Sequence, residues 1–111
     1  MTIQTIHEGR VIGDAELERK FGLLAEAWRE GRGVTSSMTK IVMHPAYLQI
    51  IGMGPVALPM ILRELQRNPD FWFLALQSIT GENPVPREHA GNLKEMTQDW
   101  LNWAKLKGQI R

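Results

Sequence analysis

The sequence predicts an all-α protein: a compact bundle of about five helices with a short extended N-terminal arm. Two observations carry this reading. Apolar residues recur at helical spacing in separate stretches: Leu17, Phe21, Leu24 and Trp28, then Leu58, Ile61, Leu62 and Leu65, then Leu93, Met96, Trp100 and Trp103. Glycines, prolines and capping residues fall where those stretches begin and end. The chain of 111 residues is 43% hydrophobic and 23% charged, the make-up of one folded domain with a modest core. The expected division is an arm over 1–13 and a single α-helical domain over 14–111.

Residues 1–13 alternate weakly, with Ile3, Ile6, Val11 and Ile12 among polar residues and two glycines. An extended arm, a strand and a disordered lead all fit. Such an arm can add to a partner's sheet edge, and a loosely attached terminus is the plainer reading. Asp14 then reads as an N-cap, with Glu16 and Glu18 at the positive end of the helix dipole. The first helix, about 14–30, buries the Leu17–Trp28 stripe, widened by Leu23 and Ala27, and Gly31 and Gly33 stop it.

Residues 34–43 crowd the hydroxyls of Thr35, Ser36, Ser37 and Thr39 beside Lys40, ahead of Ile41. They suit phosphate or backbone contacts, and more simply the turns and caps before a helix. His44 reads as a cap or turn residue, and Pro45 suits the first turn of a short helix to about residue 52. Pro55 and Pro59 delay the next helix until Leu58 to Met60. Its apolar face is Leu58, Ile61, Leu62 and Leu65, and Arg63 and Arg67 face away. Asn68 and Pro69 read as the cap and first position of a helix over about 69–79, which is apolar nearly all round. A helix of that kind is buried between neighbours or against a partner. Gly81 is placed to end it left-handed. Pro84 and Pro86 make 82–91 an extended, stiff connector. Asn92 and Glu95 form a capping box for a last helix that turns Leu93, Met96, Trp100, Trp103 and Ala104 inward and ends at Gly108.

Charge and chemistry narrow the function classes. Thirteen basic residues stand against twelve acidic ones, and no basic run exceeds Arg19–Lys20, so no dense nucleic-acid or membrane-surface block is present. Cysteine is absent, which removes disulfides, thiol nucleophiles and thiolate metal sites. The first residues lack the pattern of a signal peptide, and apolar tracts are too interrupted to span a membrane. A soluble, cytoplasmic protein is the expectation. His7, His44 and His89 lie in different segments, with no metal-ligand spacing between them. Glu88 beside His89 suits a proton-transfer pair or a solvated loop equally. Ser36 and Ser37 lack a nucleophile setting, and Glu82 and Glu88 form no recognisable catalytic pair. No catalytic residue, cofactor or metal is therefore expected. Four tryptophans and six methionines in so short a chain fit either an aromatic core or an interaction surface.

Two resemblances add to this. Val56, Leu58, Pro59, Ile61, Leu62 and Leu65, followed by Pro69, Asp70, Leu74, Ala75 and Leu76, resemble a HEAT-type helical repeat over about thirty residues. The resemblance implies a HEAT-like helical pair in which a proline opens one helix and an Ala/Leu-rich helix stacks on the next unit. Trp72 and Phe73 stand where such repeats commonly carry polar residues. Over roughly 35–107 the chain is also similar to a group of small uncharacterised bacterial proteins. They share the Ser/Thr stretch at 35–39, HPAY…IIGMG at 44–54, the Trp-Phe helix at 71–76, ITGE-x-PVP at 79–86 and W-L-x-W at 100–103. That similarity implies a bacterial source and no particular activity.

The expected function is a non-enzymatic protein-interaction module: an accessory subunit, adaptor or antitoxin-like regulator of a larger bacterial protein. Helical repeats need about three copies to stand alone. This chain holds about one and a half, so a larger partner or self-association would complete the burial. Phe71, Trp72, Phe73 and Leu74 are the expected partner-binding residues. The alternative is a nucleic-acid-binding helper of a nucleic-acid-processing or mobile-element/defence system, with Lys40, Arg63, Arg67 and Arg87 as its contacts.

Overall fold

The helical stripes meet around four aromatic rings. A computed structural model describes residues 2–33 and 37–110, with side chains from residue 15 onward. Among the described residues there are six α-helices: α1 (Thr2–Arg32), α2 (Met38–Val42), α3 (Pro45–Gly52), α4 (Leu58–Arg67), α5 (Phe73–Thr80) and α6 (Leu93–Leu106). Short 3-10 turns at Gly54–Ala57 and Arg87–His89 join them. The all-α bundle of about five helices is the architecture found, with α2 as a short sixth element. α1 packs on α3, α3 on α5, and α4 on α6.

α1 differs from expectation at its start. Its backbone is helical from Thr2, so the 1–13 segment read as an extended arm continues the same helix from residue 2 onward. Asp14 therefore lies inside α1 and does not cap it. No proline interrupts residues 2–32, and the glycines within them lower helix propensity without forbidding the conformation. Phe21, Ala25 and Trp28 are buried, with Leu17 and Leu24 partly so. The stripe is narrower than its sequence suggests: Leu23 is 64% exposed, Ala27 faces solvent, and Ala25 lies inward in their place. Gly31 stays helical, and the break comes at Gly33, whose φ of 60° is left-handed.

Thr35 and Ser36 lie outside the described residues. Ser37 caps α2, its hydroxyl accepting from the Lys40 amide at 3.4 Å. The Trp28 indole donates to the Ile41 carbonyl at 2.8 Å and so ties α2 to α1. His44 is the N-cap of α3: its Nδ1 accepts from the Ala46 amide at 3.1 Å, and Pro45 follows in the first turn. α4 opens at Leu58 with Pro59 in its first turn and buries Leu58, Ile61, Leu62 and Leu65, as its spacing predicts, together with Met60.

The start of α5 is a second correction. Asn68 ends α4 with φ −150°, Pro69 precedes any helix, and α5 becomes regular only at Phe73. The Asp70 carboxylate accepts from the Phe71 amide at 2.8 Å and receives both Arg32 nitrogens at 3.0 and 2.8 Å, which holds 69–72 in a turn. α5 has no side-chain cap of its own at Trp72. Tyr47 supplies one from α3: its hydroxyl accepts from the Ala75 amide at 3.0 Å and donates to the Phe71 carbonyl at 2.9 Å. Gly81 ends α5 at φ 73°, as expected. Asn92 caps α6 through the Glu95 amide at 3.0 Å, but only half of the capping box forms. The Asn92 amide goes instead to the His89 carbonyl, and the Glu95 carboxylate turns toward His89.

The core is aromatic. Trp72 stands 4.5 Å from Trp28, 5.7 Å from Phe21 and 6.0 Å from Tyr47, centroid to centroid. Arg32 closes the cluster with its guanidinium 4.1 Å from the Trp28 ring. Such contacts add to the area each ring buries.

Removing the Tyr47 hydroxyl leaves a buried amide without its acceptor. Tyr47→Phe is expected to lower unfolding free energy by about 1–3 kcal/mol in urea titration. Two glycines of α1 should respond oppositely to alanine. A methyl at position 31 runs into Nε2 of His44, whose ring is fixed by its capping bond, so Gly31→Ala is expected to cost about 0.5–2 kcal/mol. Nothing lies within 4 Å of a methyl at position 22, so Gly22→Ala is expected to raise stability by about 0.5–1 kcal/mol. Thermal melts of the two variants check both signs.

Candidate docking groove

α5, the connector and α6 border an apolar groove of about 590 Å³. Phe73 and Leu74 come from α5, and Phe71 from the turn before it. Leu93, Met96 and Trp100 share one face of α6, while Met38 and Val42 of α2 close one side. The connector contributes Val85, Pro86 and Arg87 to the lining. Met38 and Leu74 are 49% and 44% exposed, so the groove presents large apolar side chains to solvent rather than sealing them in.

Contacts at both ends hold the connector on α6. At its start the Glu82 carboxylate accepts from the Trp103 indole at 3.1 Å and faces Lys107 at 3.7 Å. At its end His89 Nδ1 lies 2.6 Å from Asp99, and its Nε2 lies 3.8 Å from Glu95. The hydrogen bond to Asp99 raises the His89 pKa above the ordinary imidazole value; the charges of Asp99, Glu95 and Glu88 act the same way. Partial desolvation opposes them without cancelling them.

The other expected site residues are spread across the fold. Phe71, Phe73 and Leu74 line the groove, but Trp72 is 0% exposed at the centre of the aromatic core and does not belong to its surface. Trp72 is the N-cap of α5 and lies on one stripe with Ala75 and Leu76, which are buried with it. Arg63 pairs with Glu18 at 2.9 Å and Arg67 with Glu64 at 2.7 Å, one turn apart on α4. Lys40 is exposed on α2, and Arg87 sits on the groove. No contact among the described residues gathers these four cations. His44 is engaged as a cap and His89 in the Asp99 pair, while the His7 side chain lies outside those described. Among the described residues no group of three or more acidic or histidine side chains is placed to hold a metal. No single helix there is long and apolar enough to cross a membrane.

Asp70 is the one buried acid among the described residues. Burial alone would raise its pKa, but hydrogen bonds from Arg32, the Phe71 amide and Arg29, with the Arg32 charge, hold it below the usual carboxylate value. Its partners all come from the scaffold, so it anchors the α1 terminus to the turn before α5. A further depression of about 680 Å³ lies along α1, where Glu16, Arg19 and Lys20 accompany Leu17 and Leu23. Its charged lining makes it an ordinary solvated helix face.

Met38, Val42, Val85 and Met96 were not singled out from the sequence as groove residues. Met96 sits on the predicted inner stripe of α6; the others come from segments without periodicity. Set against protein-family models, curated proteins and solved structures, the chain matches none.

The His89 pair carries a signed pH dependence. Because the folded-state pKa is raised, its contribution to stability is present in full below the unfolded-state value, about 6.5. It is lost as pH climbs through the folded-state value. NMR titration of the imidazole is expected to give a midpoint above that of free histidine, and Asp99→Asn is expected to move it back down.

Proposed function

We propose that the protein is a non-enzymatic interaction module, an accessory subunit or adaptor that seats an apolar segment of a larger protein in the α5–α6 groove. The single observation that carries this reading is the groove itself: Phe71, Phe73 and Leu74 line it with Met38 and Met96, and two of its large apolar side chains are solvent-exposed in the isolated chain. Exposed apolar surface collected in one concavity marks interaction sites, whereas the same residues scattered singly would not. Aromatic and methionine side chains are the types enriched at interface centres. The HEAT-like reading of α4 and α5 belongs to this proposal, because a repeat pair leaves a helical face for the next unit to cover.

The nucleic-acid reading draws no comparable support. Arg63 and Arg67 are matched by carboxylates, and Arg87 borders an apolar groove rather than a basic face.

Leu74→Asp tests the groove without touching the core, since Leu74 is exposed on α5. The variant is expected to keep the helical circular-dichroism spectrum and thermal midpoint of the wild type. It should lose a partner captured by a photo-crosslinker at Gln77, also on the groove. A crosslinked partner retained equally by Leu74→Asp, or a strictly monomeric protein that crosslinks to nothing in its native cells, would refute the reading.

A further inference from the structure

We propose that the occupant of the groove is a short amphipathic helix bearing an aspartate or glutamate, and that Arg87 holds that carboxylate. This rests on the docking reading above and adds the chemistry of what docks.

Charge gives the first argument. Arg87 alone among the groove-lining residues is charged. Arg29, Arg32, Arg63 and Arg67 each face an acidic side chain within 3.4 Å. The Arg87 guanidinium has no ion pair or hydrogen bond among the described residues. Glu82 is committed to Trp103 and Lys107, and Asp99 and Glu95 to His89, while Glu88, the next residue in the turn, makes no ion pair with Arg87. An unpaired planar guanidinium beside apolar surface is suited to grip a carboxylate through two parallel hydrogen bonds while the rest of the ligand is desolvated next to it.

Shape gives the second. Leu74 and Gln77, one turn apart, form a ridge on α5; Leu93, Met96 and Trp100 form another on α6 at i, i+3 and i+7. The trough between two such ridges is the complement of a third helical ridge, the mode in which apolar anchors at i, i+3, i+4 and i+7 enter a groove. The unbranched Met38 and Met96 adapt to the anchors they meet. Small-molecule sites orient their ligand with a few enclosed polar groups. Here the polar lining residues Gln77 and Asn83 are both exposed, which favours a polypeptide segment.

The test is selection of random helical peptides, displayed on phage, against the full chain, with the recovered peptides measured by fluorescence anisotropy. They are expected to carry an apolar helical stripe flanked by Asp or Glu. Exchanging that acid for lysine should weaken binding roughly tenfold. Arg87→Glu should reverse the order of the two peptides, and Leu74→Asp should abolish both. Recovered stripes with no acidic preference, bound equally by Arg87→Glu, would sink the Arg87 assignment and leave the docking groove standing. A library yielding no peptide sensitive to Leu74→Asp would remove both. Binding of decanoate with no peptide enriched would give the groove to a small amphipathic acid and overturn the helical occupant.

Discussion

The structure turns on the Tyr47 hydroxyl. The chain has one tyrosine, and its ring is completely buried between α1 and α5. A phenol in that position is costly unless both its hydrogen-bonding roles are filled. Here it donates to the Phe71 carbonyl and accepts from the Ala75 amide. Burial pushes its pKa well above the ordinary phenol value, so it remains a donor at any physiological pH. The amide it satisfies is one that a helix start leaves orphaned. α5 therefore begins where α3 permits, and the positions of Phe73 and Leu74 on the groove follow from a hydrogen bond made deep in the core.

A polar ring surrounds that point and sets the turn before α5. Asp70 takes Arg32 through two hydrogen bonds and Arg29 at 3.4 Å, while Arg29 also reaches Glu64 at 3.3 Å. Buried ion pairs repay their desolvation poorly, so this network is better understood as fixing geometry than as adding stability. The arginines also cover aromatic surface, Arg32 over Trp28 and Arg29 over Trp72. One set of side chains thus closes the aromatic cluster and holds α1 to the α4–α5 turn.

This explains which parts were legible in the sequence. Where local rules and tertiary contacts agree, the residues read correctly: Ile61, Leu62 and Leu65 on α4, Trp100 and Ala104 on α6, His44 with Pro45, and Gly81. The Asn68–Pro69 start fails because Arg32, 38 residues upstream of Asp70, overrides a sound local signal. The burial of Trp72 does not depend on that shift. The helical spacing itself puts Trp72 on one stripe with Ala75, Leu76 and Ile79 and leaves Phe71, Phe73 and Leu74 on other faces. Grouping Trp72 with those three as a partner-binding residue sets that stripe aside. Trp72 enters the core while the two phenylalanines border the groove. Arg87 illustrates a different gap. The sequence marks it as a cation, but being unmatched beside apolar surface is a property of space alone.

The connector is what turns an exposed helix face into a groove. Pro84 and Pro86 fix two backbone φ angles, and clamps to α6 at Glu82 and His89 remove much of the remaining freedom. A wall held in this way is already formed, so a segment docked as proposed would lose less ordering entropy to the groove than to a mobile loop. The two clamps differ in kind. Glu82 is held by an indole and an ammonium, whereas His89 is held through a proton shared with Asp99. Arg87 lies two residues from that proton, so the guanidinium at the edge of the groove and the pH-sensitive clamp belong to the same 3-10 turn.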